Sequence, residues 1–167
     1  AWAVLAPLVG PASDGTVLAW AWRAAVAAGN PQAHALGERL RACDEPADLV
    51  AEAWADHANR SAAPEAVSAW DRALQGLPPE HPWRPRGIEV LLRAAWQGAY
   101  PTERALAWAA TLPDAGDASW RALRFLEGQV AARMGDSGRV KMVVALLTPG
   151  ATPAQAEKLR RLEGGIP

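Results

Sequence analysis

The sequence predicts an all-α protein built as an array of helical hairpins, and three features carry that prediction. Alanine, leucine and arginine are the most frequent residues, while tyrosine and phenylalanine occur once each; such side chains lose little rotamer freedom in a helix, so this balance favours helix. The phrase "RAAVAAGNP" at 23–31 returns as "RAAWQGAYP" at 93–101, which marks a repeated unit. Apolar residues recur at helical spacing, as at Ile88, Leu91, Leu92 and Ala95, so each helix owns one narrow stripe.

Residues 1–15 open without Met as "AWAVLAPLVGPA" and read as a clipped N-terminal segment, either a mature end after signal removal or the edge of a fragment. Four hairpins follow over 16–150: 16–28 with 31–42, 46–58 with 64–75, 84–97 with 101–111, and 118–134 with 137–147. Pro31, Pro64, Pro101 and Pro153 stand where helices begin, because a first helical position needs no N–H. Gly29, Gly98 and Gly135 stand where first helices end, since glycine reaches the left-handed cap cheaply.

A last helix over about 153–163, within the segment 151–167, closes the array, and Thr152 with Gln155 forms its capping box. Further stripes fall at Ala105, Trp108, Ala109 and Leu112, and at Val140, Val143, Val144 and Leu147. No hairpin can bury its stripe alone, so neighbours must stack. The breaks "CDEP", "GLPPEHP" and "LPDAGD" exclude continuous helix, and none is long enough to separate domains. Seven of the nine tryptophans, Trp20, Trp22, Trp54, Trp70, Trp96, Trp108 and Trp120, fall in these helices beside alanines; large rings are expected to fill the grooves that small side chains leave.

Ala66, Ala73 and Pro78 in the second hairpin, with Gly128 and Gly135 in the fourth, match the small residues, terminal proline and glycines of the tetratricopeptide repeat, and over about 16–150 the chain resembles that family. The resemblance implies a right-handed α–α superhelix with a concave, peptide-binding face. Locally, Trp70, Leu74, Leu77, Pro78, Pro82, Trp83, Arg84 and Pro85 are similar to the end of the repeat domain in periplasmic chaperones that present apocytochrome c for haem ligation. That likeness points to a periplasmic chaperone.

The net charge is −1, which leaves no basic surplus for nucleic acid. It is unevenly spread: five Arg against ten acids over 1–80, and twelve Arg and Lys against eight acids over 81–167. The basic half suits an acidic segment or a carboxylate terminus. Cys43 is the only cysteine, so no intrachain disulfide or thiolate zinc site can form, and Asp44 and Glu45 beside it disfavour a reactive thiolate. No run of 18 apolar residues spans a membrane. Metalloprotease, nucleophile-elbow, Walker and dinucleotide motifs are missing, so neither catalysis nor a cofactor is expected. "GDSG" at 135–138 reads as a helix cap through Asp136 and Ser137. Glu52 and Asp56 share a helix face, while His57 points about 140° away on the helical wheel; together they make a poor metal set. His34 and His81 are scattered elsewhere.

Counting back from each turn places Arg23, Asn59, Trp96 and Arg133 on the first-helix face of hairpins one to four, with Arg93 and Arg124 as neighbours. Arginine can fork onto a carboxylate, asparagine can bond peptide backbone, and tryptophan can cover an apolar side chain. The expected function is a non-enzymatic adaptor or chaperone binding a protein segment on the concave face. The alternative is the helical scaffold of a larger enzyme or regulator. Cytoplasm and periplasm both stay open as compartments, and the oligomeric state is not written in the residues.

Overall fold

The computed structural model describes residues 2–165, which form ten α-helices and one 3-10 turn and contain no strand. Helix α1 (Trp2–Leu5) and the turn Ala6–Leu8 precede α2 (Gly15–Ala27), α3 (Ala33–Arg41), α4 (Ala47–Arg60) and α5 (Glu65–Gly76). Then come α6 (Arg84–Trp96), α7 (Thr102–Ala110), α8 (Ala118–Arg133), α9 (Ser137–Leu147) and α10 (Pro153–Gly164). Every helix expected between 16 and 163 is present, its ends within about two residues of the expected bounds. Helix α1 lies in the segment read as an N-terminal tail.

Local chemistry sets these ends. Gly29, Gly98 and Gly135 take φ of 62°, 79° and 75°, a left-handed turn that a side chain disfavours. Asp14, Asp117 and Asp136 accept the amide N–H of Val17, Trp120 and Arg139 as N-caps. The capping box of Thr152 and Gln155 is complete, with Pro153 at the first helical position. The other three prolines sit outside their expected place: Pro64 and Pro101 occupy N-cap positions, and Pro31 precedes the cap residue Gln32. At the cap a proline still contributes its carbonyl to the first turn, as Pro101 does for the Ala105 N–H at 3.1 Å.

At the proline-rich break "GLPPEHP" the chain divides into two compact units, Ala1–His81 and Pro82–Pro167, where the sequence predicts one array over 16–150. In the first unit α2 packs on α3, α3 on α4 and α4 on α5, with α2 also touching α4. Leu18, Trp22, Leu36, Leu40 and Leu49 form its core. Two glycines permit close approach: a Cβ at Gly76 would stand 2.9 Å from the Ala47 carbonyl, and one at Gly15 would lie 1.7 Å from the Glu45 carbonyl.

In the second unit α6 pairs with α7 and α8 with α9, while α8 also packs on α6, α7 and α10. Ile88, Leu91, Leu92, Val140 and Val143, all on stripes read from the sequence, are buried there, and so is Val130. A charged cluster lies among them. Glu127 is fully buried and accepts a 2.7 Å hydrogen bond from Arg124, which also donates to the carbonyls of Ala109 (3.0 Å) and Leu112 (3.1 Å). Arg139 stands 3.6 Å from the other Glu127 oxygen and donates to the Leu106 carbonyl at 2.6 Å. Two guanidiniums, from α8 and α9, thus reach the carbonyls of Leu106, Ala109 and Leu112 in and just after α7 and tie that helix to the next hairpin.

Two stability outcomes follow. Glu127→Ala leaves Arg124 buried without its counter-charge and is expected to destabilise the second unit by about 3–5 kcal/mol, read as a lower urea midpoint by circular dichroism. Gly15→Ala forces the backbone apart and is expected to cost about 1–3 kcal/mol, whereas Gly138→Ala, whose Cβ would meet only Asp136 Oδ1 at 3.6 Å, is expected to leave the thermal midpoint unharmed.

Candidate functional site

The spacing of polar and small residues on α6 and α8 builds a groove between them. Arg86, Glu89 and Arg93 share one face of α6, and Ser119, Ala122, Leu126 and Gln129 share one face of α8, at steps of three and four residues. The two faces flank a groove of about 570 Å³, with Pro82 and Pro85 also lining it. On α6 the large apolar residues Ile88, Leu91 and Leu92 lie off this face and are fully buried. Leu123 supplies a buried apolar patch to the lining.

Charge in the groove is organised around Glu89. It accepts from Arg93 Nε at 2.9 Å and from Arg86 at 3.2 Å. Partial burial pushes its carboxyl upward, but the hydrogen bonds and charges of Arg93 and Arg86 outweigh that and hold it below the ordinary carboxylate range. The Arg93 and Arg86 side chains remain 64 % and 59 % exposed, so both guanidiniums keep donors facing solvent. At the end of α6, Arg133 lays its guanidinium 5.4 Å over the Trp96 ring and donates to the Trp96 carbonyl.

Of the residues expected on a binding face, Trp96 and Arg133 come together in the second unit, while Arg93 lines the α6–α8 groove, to whose lining those two do not belong. Arg124 does neither. It is 7 % exposed and its guanidinium is spent on Glu127, Ala109 and Leu112, so it belongs to the core. In the first unit Arg23 grips Glu52 through two hydrogen bonds and lies 5.8 Å over Trp20. Asn59 is exposed near the end of α4. Counting back from turns yields one position per helix and so passes over Arg86, Glu89, Ser119, Leu126 and Gln129; the steps of three and four at 86, 89, 93 and at 119, 122, 126, 129 are the signal that finds them.

The tryptophans divide into two kinds. Trp22, Trp70 and Trp120 are buried, as expected of groove-filling rings. Trp20 and Trp96 are exposed, and Trp54 and Trp108 are half-buried beneath guanidiniums, a correction to the packing role expected of all seven. Trp54 carries two, Arg72 at 4.8 Å and Arg41 at 5.2 Å, with the His57 ring edge-on at 6.0 Å. Burial, ahead of the opposing pull of Glu38, draws Arg41 below its ordinary pKa. Hollows of about 520 and 420 Å³ adjoin this ring; Arg41 and Arg72 line both, against Asp44 in the first and against Glu38 and Glu65 in the second.

Glu52, Asp56 and His57 each turn to a separate partner: Glu52 to Arg23, Asp56 to Arg60, His57 to Glu65 at 2.8 Å. Cys43 is half-buried, with its Sγ 3.5 Å from the Arg39 carbonyl. Among the described residues no group of three or more His, Cys, Asp or Glu is placed to hold a metal ion, and no helix is long and apolar enough to cross a membrane. Compared with known protein families, with curated proteins and with solved structures, the chain matches none.

Because its folded pKa is depressed, Glu89 contributes stability above the unfolded value near 4.5, and that contribution disappears as pH falls through the folded value. A carbon-13 titration of the Glu89 carboxyl is expected to give a midpoint below 4.5, and Arg93→Ala is expected to move that midpoint upward.

Proposed function

We propose that the protein is a non-catalytic interaction module, an adaptor or chaperone, that holds a segment of a partner protein in the groove between α6 and α8. The open groove of about 570 Å³ between the first helices of two successive hairpins carries this reading. Its walls combine exposed arginines with an apolar patch from Leu123 and Leu126, the mixture that recognises an extended segment with both acidic and apolar side chains. The right-handed tetratricopeptide-like superhelix belongs to the same proposal, α6 and α8 being the inner helices of its third and fourth repeats.

The excess of cations over acids on the groove favours an acidic partner. Exposed charges are screened beyond about 10 Å at 0.1 M salt, so capture of partners is expected to fall between low and moderate salt. With a captured partner's segment as a synthetic peptide, Arg86→Glu combined with Arg93→Glu is expected to weaken binding by about tenfold or more while the unfolding midpoint stays within the range of surface substitutions. Unchanged affinity in that double variant would remove the groove from the account.

A further inference from the structure

Beyond Ala122, which also borders the groove, α8 turns a second face towards α10 and the end of α9. A pocket of about 280 Å³ lies there, lined by Ala118, Arg121 and Phe125 of α8, Leu147 of α9, and Lys158 and Leu159 of α10. The space exists because α8 places alanine at 118 and again at 122, one turn apart on the same side. The floor is apolar: Leu147 and Leu159 belong to a buried cluster with Trp120 and Val143, and Phe125 packs against it.

The rim is cationic. Arg121 donates to the carbonyls of Leu147 and Pro149, which fixes its guanidinium while leaving other N–H groups of its five unspent. Lys158 is exposed and forms no ion pair among the described residues. No carboxylate lines the pocket; Glu157, beside Lys158 in sequence, is held by Arg160 and Arg161 at 2.9 Å. An apolar floor under two positive groups, with no acid to neutralise them, selects an apolar body that ends in an anion. The size bounds that body. At roughly 30 Å³ per small heavy-atom group the pocket takes about nine, below the drug-sized range of about 300–1,000 Å³.

We propose that this pocket binds a free medium-chain carboxylate, with its alkyl chain on Phe125, Leu147 and Leu159 and its carboxylate between Arg121 and Lys158. The site is independent of the α6–α8 groove: it takes a small molecule, and its occupancy does not require a protein partner.

Sodium octanoate is the probe, read by calorimetry and by the ring signals of Phe125, the single phenylalanine of the chain. Octanoate is expected to bind one to one and to shift those signals. 1-Octanol, which lacks the charge, is expected to bind about tenfold more weakly, and hexanoate, two methylenes shorter, also about tenfold more weakly. Lys158→Glu, an exposed change, is expected to weaken octanoate by about tenfold or more, and Ala118→Leu to block it by filling the space while leaving peptide binding in the α6–α8 groove intact. A silent Phe125 ring, equal affinity for 1-octanol, or an unaffected Lys158→Glu variant each overturns the proposal. A short peptide ending in a free leucine carboxylate that displaces octanoate and binds more tightly also overturns it, by giving the pocket to a chain terminus.

Discussion

The buried pair of Arg124 and Glu127 on α8, with the reach of Arg124 to the backbone around the end of α7, is the contact on which the second unit depends. A helix with one narrow apolar stripe has several sterically acceptable neighbours, and burial alone is not directional. A guanidinium is directional, because its donors leave in fixed planar directions and are worth having only where carbonyls or carboxylates meet them. With Arg139 on the far oxygen of Glu127 and on Leu106, the network accepts a single register of α7 against α8 and α9. The same device recurs. Arg84 donates to Thr111, Arg121 to Leu147, Arg133 to Trp96 and, in the first unit, Arg39 to Gly10, so arginines join segments 26 to 37 residues apart. That use explains why the cations of this chain are nearly all arginine.

Stacking on tryptophan extends the principle to the surface. A ring under a guanidinium keeps an amphipathic side chain in one place without burying its charge, as with the exposed Arg72 on Trp54, whereas Arg84, over Trp108, is itself buried. Held side chains of this kind make a rigid wall. In the second unit Arg86 and Arg93, both largely exposed, gather round one carboxylate on the face of α6 opposite its buried stripe. The separation of duties between buried arginines that order helices and exposed ones that line a groove is what turns a packing solution into a recognition surface.

Most helix ends were legible because their causes are local. A glycine with positive φ, an aspartate cap or the Thr152–Gln155 box acts within four residues, and the expected bounds agree with α2 to α10. The division at His81 was less legible, since it depends on which stripes find each other and not on any linker. Arg124 shows the limit most clearly. From its neighbours it is indistinguishable from Arg93, and its burial follows from carbonyls 12 and 15 residues upstream that only the folded arrangement brings near. The groove is half legible: the helix that carries Arg93 is identified, but the facing row on α8, Ser119, Ala122, Leu126 and Gln129, mixes polar and apolar residues and a count from the turns skips it. The tryptophans misled for a related reason, because a ring beside alanines in sequence can be covered equally well by helix or by arginine.

The central claim is that α7, α8 and α9 are one cooperative body held at Glu127. Native-state hydrogen exchange tests it most directly, amide by amide, under conditions in which exchange reports opening free energies. The account predicts that the interior amides of α7 open with the same free energy as those of α8 around Glu127 and of α9 around Val143. Exchange of α7 through a separate, much lower-energy opening, with α8 and α9 still protected, would contradict it.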